Sequence, residues 1–395
     1  MSQVLWYLTH FCIKKMFTML ILFIRRFSII LALTYLLLPV WAHAQVITDL
    51  AGRLVDLPEK IDRVILGESR YIPALGILQP DDPLRQIVGM LPDFKLADPA
   101  GYQQYQQQFP HIDAIPLIGR SARDSFSVEQ AIALDADVAV FGLEGHGPTS
   151  KDSRLIEQLK QAGVTVVFVD FRQEPIKNTP TSITILGQVL GQTERASTFN
   201  KFYQQQLDAI EQRLQTLPAG KRTKVFLHSR VGLGSTCCET MVNGMMGHYI
   251  DWLAADNIAT EYVPGTAGII NREYLLINQP DVYIATAIGS VNTLTDSPQF
   301  IALGAGVSHE LAQQSFQHNL SAPWLAQLDA VKQKHAFAIW HHFYNSPLNI
   351  AALQAFAKWL YPNAFNDLNP DTTLEEIYRR FQPIELNGTY WVGTN

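Results

Sequence analysis

The sequence predicts an α/β protein of two lobes, each built on a parallel sheet, with a ligand cleft between the lobes. Short β-branched runs alternate with helical stretches on both sides of a long segment that has no strand pattern. Two segments on opposite sides of it, residues 129–142 and 273–286, align without gaps. The 395 residues are 47% hydrophobic and 17% charged, which is typical of a folded protein with a large core.

Charge and cysteine content exclude two classes of protein. The formal net charge is −6 and no basic patch stands out, so the sequence does not indicate a nucleic-acid-binding protein. Three cysteines are too few for a disulfide-built scaffold. The fold must therefore depend on hydrophobic packing.

The first 44 residues form a separate segment with the pattern of a signal peptide. They contain four basic residues and no acidic one, followed by an apolar run over residues 27–41 and the small-x-small sequence Ala42-His43-Ala44. The pattern predicts cleavage near Ala44 and export to the periplasm; a retained N-terminal anchor is the alternative. Cleavage would change the net charge from −6 to about −10, since only basic residues are lost.

The first lobe is expected over residues 45–178. Buried strands are predicted at residues 63–67, 87–90, 115–119, 137–142 and 164–170. Helices at residues 128–134 and 154–162 separate the last three of these strands, because apolar residues recur there at intervals of three and four. Repetition of strand and helix indicates a parallel sheet that is covered on both faces.

One long helix is predicted to join the lobes, over residues 179–218, with Pro180 in its first turn and Pro218 at its end. About 35 residues would span roughly 50 Å, which makes the helix a brace between lobes. The second lobe then occupies residues 219–395. Its predicted strands are residues 224–229, 281–286 and 335–340, and its predicted helices are near residues 247–255, 322–330 and 347–360.

Cationic and aromatic residues follow several of the predicted strands. Ligands of parallel α/β sheets bind beyond the carboxyl ends of the strands. Guanidinium groups match oxyanions and rings supply apolar walls, so these strand ends predict an anionic, partly aromatic ligand. For each arginine, a surface ion pair with a nearby acid is the alternative. The candidate ligand-binding residues are Arg70, Tyr71, Arg120, Arg230, His341, His342 and Tyr344, together with Cys237 and Cys238.

The adjacent thiols of Cys237 and Cys238 allow three interpretations. In an oxidising compartment they can form a vicinal disulfide that shapes the preceding glycine-containing loop. A soft-metal site and two buried thiols are the alternatives. We expect the disulfide, because no nearby cysteine completes a ligand set. The neighbouring His341 and His342 are not expected to chelate one ion, since adjacent residues of an extended segment point in opposite directions.

Motifs for catalysis are weak. The glycines of residues 142–147, GLEGHG, follow a strand but do not have the order of a nucleotide-binding fingerprint. Ser229 follows a strand but lacks the first glycine of a nucleophile elbow. We therefore expect no enzymatic activity, no cofactor and no bound metal.

Blocks of sequence along the chain occur in an order that resembles one known family. Residues 47–67 read ITDLAGRLVDLPEKIDRVILG, residues 127–142 read SVEQAIALDADVAVFG, and residues 155–170 read LIEQLKQAGVTVVFVD. Further matching blocks lie at residues 273–286, 330–339 and 355–362. Together they resemble the substrate-binding proteins of bacterial ABC importers for ferric siderophores, haem and cobalamin.

The resemblance implies two Rossmann-like lobes joined by one rigid helix, with little closure around the ligand. It also implies a monomer that docks on a membrane permease through surface carboxylates. We expect a periplasmic protein that delivers an iron(III)–siderophore complex to the permease at the inner membrane. The paired cysteines depart from the generic family pattern.

Other ligands and classes are compatible with the same residues. Haem would suit Tyr71, His341, His342 or Tyr344 as an axial ligand, with arginines for its propionates, and cobalamin is a further alternative within the family. A secreted serine hydrolase using Ser229 is the alternative from another class. A structural envelope protein would lack a defined cleft.

We predict that the mature protein begins at Gln45 and is recovered from the periplasm, because the basic start and the small residues at the end of the apolar run direct cleavage. Intact-mass measurement of the protein in a periplasmic extract checks this. A chain of full-length mass that sediments with membranes would contradict it.

Overall fold

The structure is a computed structural model that describes residues 45–394 apart from 123, 124, 219, 221, 235 and 236, together with residues 15, 16, 19, 20 and 23. The chain divides into two compact units, residues 1–44 and 45–395. Most of the predicted signal peptide lies outside the described residues, so export stays a prediction. In the described part of the chain, no helix is both long and apolar enough to cross a bilayer. The strands and helices that form the fold all belong to the second unit.

The strands are short and most are buried. Those of the described residues are β1 (Val46–Thr48), β2 (Leu54–Asp56), β3 (Val64–Leu66), β4 (Ile87–Met90), β5 (Val138–Gly142), β6 (Thr165–Val169), β7 (Lys224–His228), β8 (Glu239–Met241), β9 (Asp256–Asn257), β10 (Ala267–Ile269), β11 (Val282–Ala287), β12 (Ala336–Trp340) and β13 (Trp391–Gly393).

Helices connect most of these strands. They are α1 (Ile72–Leu78), α2 (Asp93–Ala97), α3 (Pro99–Gln108), α4 (Val128–Ala133), α5 (Ser153–Gln161), α6 (Pro175–Val189), α7 (Thr193–Leu214), α8 (Gly247–Trp252), α9 (Arg272–Ile277), α10 (Thr293–Asp296), α11 (His309–Leu320), α12 (Asp329–Lys332), α13 (Asn349–Leu360) and α14 (Pro370–Phe381). Short 3₁₀ helices include Ser69–Tyr71 and His341–Asn345.

The first lobe contains a parallel sheet in the order β4-β3-β5-β6, preceded by the antiparallel pair β1 and β2. Alternate residues of its strands point to opposite faces. Val138 and Val140 belong to one hydrophobic cluster, whereas Ala139 and Phe141 belong to a second one. The sheet is thus covered on both faces, as the sequence predicts.

The second lobe contains a mixed sheet in the order β10-β8-β7-β11-β12-β13, with β9 also paired to β7. Its centre, β7-β11-β12, is parallel, whereas β8, β10 and β13 run antiparallel to their neighbours. The α/β class and the two-lobe architecture predicted from the sequence are confirmed.

The two aligned segments have the same local structure. Ser127 and Asn271 each accept a hydrogen bond at the start of a six-residue helix, α4 or α9, from the N–H three residues ahead. Each helix then leads into a buried strand, β5 or β11, that pairs with a parallel neighbour on both sides. The internal alignment therefore reflects a repeated helix–strand unit.

The prediction of one helix over residues 179–218 is wrong. Helix α6 ends at Val189 and α7 begins at Thr193. Gly191 has a φ of +68°, and the N–H of Gln192 donates to the carbonyl of Gly187 at 2.6 Å. This is a Schellman motif, in which a left-handed glycine ends the helix. The amide of Asn200 donates to the carbonyl of Pro180 at 2.8 Å, so the two helices fold back on each other.

Two further elements differ from the prediction. Residues 115–119 form no strand but only an isolated parallel bridge between Leu117 and Met90. The helix expected over residues 322–330 is replaced by the 3₁₀ helix Leu325–Gln327 and the single turn of α12. Both segments have an apolar pattern, but a pattern alone does not set the hydrogen-bond partners of a short segment.

The 22 residues of α7 still connect the lobes. Arg195 Nε donates to the carbonyl of Ile77 in the first lobe at 2.5 Å. The Tyr203 hydroxyl donates to Asn349 Oδ1 in the second lobe at 2.7 Å. The chain crosses back after α14, where Gln382 Nε2 donates to the carbonyl of Pro73 at 3.0 Å. One hydrophobic cluster includes buried residues of both sheets and α7, so the lobes share a core.

We predict that Gly187→Ala lowers the stability of the protein by about 1 to 3 kcal/mol. A Cβ at Gly187 would lie 2.6 Å from the Cβ of Ala196, so α6 and α7 would have to separate. Thermal unfolding measures the effect, with the exposed Gly220→Ala as control, since a Cβ there meets nothing within 4 Å. Equal melting of the two variants would contradict close packing of the helices.

Candidate functional site

Polar and aromatic side chains meet where the carboxyl ends of the two sheets face each other. We call this group the strand-end cluster. In the first lobe its members follow β3, β4, β5 and β6, and in the second lobe they follow β12, as the rule for parallel sheets predicts. The members are Glu68, Arg70, Asp93, His146, Arg172, His341, His342, Tyr344 and Asn345.

Arg70 lies at the centre of the cluster. Its side chain is 5% exposed and forms ion pairs with Glu68 and, at 3.4 Å between Nε and Oδ2, with Asp93. Its Nη1 donates to the Tyr344 hydroxyl at 2.6 Å. A buried charge is tolerated only when it is paired and hydrogen-bonded, and Arg70 has both kinds of partner.

Two hydrogen bonds and two cation–ring contacts cross from one lobe to the other within the cluster. Besides the hydrogen bond from Arg70 to Tyr344, Asn345 Nδ2 donates to Glu68 Oε1. The guanidinium carbon of Arg172 lies 5.4 Å from the centre of the Tyr344 ring, and that of Arg70 lies 5.5 Å from it. Two cations of the first lobe therefore lie close to the ring of Tyr344. The electron-rich face of an aromatic ring attracts such cations electrostatically.

The glycine-rich segment of residues 142–147 packs against this cluster. A Cβ at Gly145 would lie 2.3 Å from Glu68 Oε2, and a Cβ at Gly142 would lie 2.4 Å from the Tyr71 hydroxyl. A Cβ at Gly147 would lie 2.2 Å from the carbonyl of Gly67. These glycines let the loop after β5 approach the loop after β3 closely, and that is the structural role of the motif.

Burial and neighbouring charges move the pKa values of the carboxyls in opposite directions. Burial alone would raise the pKa of Glu68, but Arg70, Arg172 and His146 together hold it below its usual value. For Asp93, burial and the charge of Glu68 raise the pKa to about 6. Glu68 is therefore charged at neutral pH, whereas Asp93 gains its charge only as the pH rises above about 6.

The histidines of the cluster are neutral at neutral pH. Burial and the charge of Arg70 lower the pKa of His146 to about 4 and that of His342 to about 3. Burial, with His342 and nearby arginines, lowers the pKa of His341 well below its usual value. Neutral imidazoles can both donate and accept hydrogen bonds, so they add polar contacts without adding charge.

The structure brings together four of the nine candidate residues: Arg70, His341, His342 and Tyr344. Tyr71 is buried beside them, with its ring centre 5.7 Å from that of Phe171, and it belongs to the core. Arg230 forms an ion pair with Glu239 at the margin. Arg120 is exposed, and its N–H donates to the Ser125 hydroxyl at 2.9 Å, so the structure does not place it in the cluster.

Cys237 and Cys238 are joined by a disulfide bond, as expected from their adjacency and the predicted compartment. They lie just before β8, and Cys238 is fully buried. His228 lies next to them, its Nδ1 2.8 Å from the Tyr283 hydroxyl, and burial lowers its pKa to about 3.

Sequence reasoning missed five members of the cluster: Glu68, Asp93, His146, Arg172 and Asn345. The strand-end rule would have found Asp93 and Arg172, because each follows a correctly predicted strand by three residues. Glu68 also follows β3, but a carboxylate is not one of the cationic or aromatic groups that predict an anionic ligand. No sequence signal indicated Asn345, whose role depends on contact with the other lobe.

Comparison with known proteins assigns this chain to a family. A family model described as periplasmic binding protein matches residues 99–340. This chain belongs to the periplasmic binding protein family. The molybdate-binding protein MolA of Haemophilus influenzae is 22% identical over 360 residues, which cover 85% of this chain and 90% of MolA.

Solved structures share the fold over most of their length. The TroA-like periplasmic binding protein FepB of Veillonella parvula matches with a TM-score of 0.77 and 22% identity, covering 89% of this chain and 99% of that one. Nickel-bound CeuE of Helicobacter pylori matches with a TM-score of 0.59 and 16% identity, covering 85% and 95%. This chain is thus a periplasmic binding protein, the class that its sequence blocks suggest.

We predict that Asp93→Asn changes how stability depends on pH. Because the pKa of Asp93 is raised to about 6, the folded state holds its proton more tightly than the unfolded state. This contribution is present below about pH 4 and is lost as the pH rises through 6. The wild type should lose up to about 3 kcal/mol relative to the variant over that interval.

Chemical denaturation at a series of pH values measures this difference. The exposed Asp208→Asn is the matched control and should follow the wild-type profile. Parallel profiles for the wild type and Asp93→Asn would show that Asp93 does not hold a proton in the folded state at mildly acidic pH.

Proposed function

We propose that this protein captures an iron(III)–siderophore complex at the strand-end cluster and delivers it to the permease of an ABC importer. One observation carries the proposal: Arg70 and Arg172 of one lobe face the Tyr344 ring of the other. Ferric siderophores commonly carry net negative charge and extended polar or aromatic surfaces, which guanidinium groups and a ring can contact.

Unused polar atoms in the cluster support binding of a polar ligand there. Arg172 Nη1, His342 Nδ1 and Glu68 Oε2 are buried without a hydrogen-bond partner. A buried polar atom left in this state costs about 1 to 3 kcal/mol. A ligand that supplies partners to these atoms would recover part of that free energy, so the arrangement favours an occupied site.

The positive charges of Arg70 and Arg172 also support binding of an anionic ligand. Arg70 is paired with Glu68 and Asp93, whereas Arg172 faces Tyr344. Both guanidinium groups keep buried nitrogens without a hydrogen-bond partner, Nε and Nη2 of Arg70 and Nη1 of Arg172. Arg172 is therefore the cation best placed to contact a ligand. Export to the periplasm and docking on the permease belong to the same proposal; among similar structures, FepB is described as a TroA-like periplasmic binding protein.

A small tetrahedral oxyanion such as molybdate is the second candidate. The cluster is compact, with Arg70 5% and Tyr344 4% exposed, so a small anion requires less separation of the lobes than a siderophore does. The similarity to MolA, a molybdate-binding protein, favours this candidate as well.

A hydrolytic function has less support. Ser229 is buried, and the neighbouring histidines contact other hydroxyls: His228 Nδ1 lies 2.8 Å from Tyr283, and His341 Nδ1 lies 2.9 Å from Thr286. A nucleophilic serine needs a base within hydrogen-bonding reach. We therefore propose a binding protein without catalysis.

We predict that Arg172→Ala weakens binding of the cognate ligand by tenfold to hundredfold, because a charge-assisted contact contributes about 1.5 to 3 kcal/mol. Tryptophan fluorescence measures binding, since the Trp340 and His342 rings lie 5.3 Å apart and Trp340 should respond to an occupied cluster. Ferric siderophores, haemin, cobalamin and molybdate are titrated in parallel. The exposed Arg379→Ala is the control and should bind like the wild type.

Each outcome of this screen has a defined meaning. Tight binding of a ferric siderophore that depends on Arg172 supports the first candidate, and binding of molybdate alone supports the second. Binding of haemin or cobalamin alone would contradict both. Equal affinities for Arg172→Ala and the wild type would contradict the location of the site.

A further inference from the structure

One imidazole and two sulfur atoms meet at the end of the second sheet, beside the strand-end cluster but separate from its members. The candidate ligand atoms of His228, Cys237 and Cys238 all lie within 4.8 Å of one another. They come from two segments, since His228 ends β7 and the cysteines precede β8. The sequence alone showed no third ligand for the cysteine pair, and the fold supplies one.

We propose that His228, Cys237 and Cys238 form a binding site for a thiophilic d¹⁰ metal ion of the Zn(II) type when the disulfide is reduced. Thiolate and imidazole are the ligands that such ions prefer. The site is controlled by the redox state of the cysteines, because sulfurs that are bonded to each other cannot act as thiolate ligands.

The geometry of the trio suits such an ion. Zn–S and Zn–N distances of about 2.3 and 2.0 Å place neighbouring ligand atoms of a tetrahedron about 3.5 to 3.8 Å apart. In this structure the imidazole lies within 4.8 Å of both sulfurs, and the sulfurs, which are bonded to each other, would have to move apart on reduction to reach that arrangement. Two thiolates and one neutral imidazole make the complex with Zn(II) electrically neutral, which suits a largely buried location. Cys237 is only half-buried, so water can supply a fourth ligand.

The imidazole of His228 is held in one orientation by its neighbours. Its Nδ1 lies 2.8 Å from the Tyr283 hydroxyl, and its ring centre lies 5.7 Å from Phe226 and 5.9 Å from Trp324. With Nδ1 engaged, Nε2 is the nitrogen available to a metal. A hydrogen bond to the second ring nitrogen is the usual way in which proteins orient a metal-binding histidine.

The backbone around the trio is held by the sheet rather than by the disulfide. The N–H of Cys238 donates to the carbonyl of Ile270 at 2.8 Å, and the N–H of Ile270 donates to the carbonyl of Cys238 at 3.1 Å. The N–H of Ser229 donates to the carbonyl of Glu239 at 2.7 Å. These bonds do not involve sulfur, so the cysteines should stay beside His228 after reduction.

Reduction of the disulfide precedes binding of the metal ion. A dithiol reductant gives two electrons and two protons to the bond between Cys237 and Cys238 and becomes a disulfide itself. Binding of Zn(II) then releases two protons as both thiols become thiolates. Oxidation of the pair reverses the sequence and releases the metal.

The test is a titration of the purified protein with Zn(II) in competition with a chromophoric chelator, before and after reduction and removal of the reductant. We expect the reduced wild type to take up one equivalent of Zn(II) and the oxidised protein to take up none at this site. His228→Ala should weaken Zn(II) binding by at least tenfold. The exposed His318→Ala is the matched control and should bind like the reduced wild type.

A second variant keeps the test decisive if His228→Ala, a change at a buried position, does not fold. Cys237→Ser removes one thiolate at a half-buried position and should abolish uptake of Zn(II). Alkylation provides an independent readout, because bound Zn(II) should slow the reaction of both cysteines with iodoacetamide. The proposal is overturned if the reduced wild type takes up no Zn(II), or if either folded variant binds it as tightly as the wild type.

Discussion

The burial of Arg70 is the constraint on which the centre of this structure depends. A guanidinium group cannot leave water at an acceptable cost unless charges and hydrogen-bond acceptors surround it. Glu68 and Asp93 of its own lobe provide the charges, and the Tyr344 hydroxyl of the opposite lobe provides an acceptor. Because Tyr344 belongs to the other lobe, its hydrogen bond with Arg70 also fixes the position of one lobe relative to the other.

Further contacts hold the two lobes in this position, so we expect no large movement of one lobe relative to the other. Helix α7 contacts both lobes, the segment after α14 returns to the first lobe, and one hydrophobic cluster continues through both. A shared core resists hinge motion, since opening it would expose apolar surface. If the proposed ligand binds at the strand-end cluster, its entry requires local rearrangement around Tyr344 and Asn345, where polar contacts can be exchanged for contacts with the ligand. The lobes themselves can stay nearly fixed.

The sequence predicted the parts of the fold that depend on local pattern. Strands such as residues 87–90 and the paired helix–strand units were recovered because periodicity and capping are local properties. The prediction of a single long helix is wrong because Gly191, which lies inside the predicted range, adopts a left-handed conformation that ends α6. The antiparallel strands β8, β10 and β13 were missed, since their partners are set by tertiary contacts.

The members of the strand-end cluster were predictable from the sequence where their position depends only on which strand they follow. The strand-end rule located Arg70, His341, His342 and Tyr344 without any knowledge of contacts. It could not distinguish Arg70, which is buried and paired, from Arg120, which is exposed. Nor could it find the proximity of His228 to the cysteines, because the pairing of β7 with β8 lies beyond local pattern.

We propose above all that solute binds between the lobes at the strand-end cluster. Anomalous diffraction from crystals of the loaded protein tests it directly, since both candidate ligands contain a metal atom that scatters anomalously. We predict a single strong peak between Arg172 and Tyr344, from iron or from molybdenum according to the ligand. A peak on the outer surface of either lobe, with the contact between Arg70 and Tyr344 unchanged, would contradict the account.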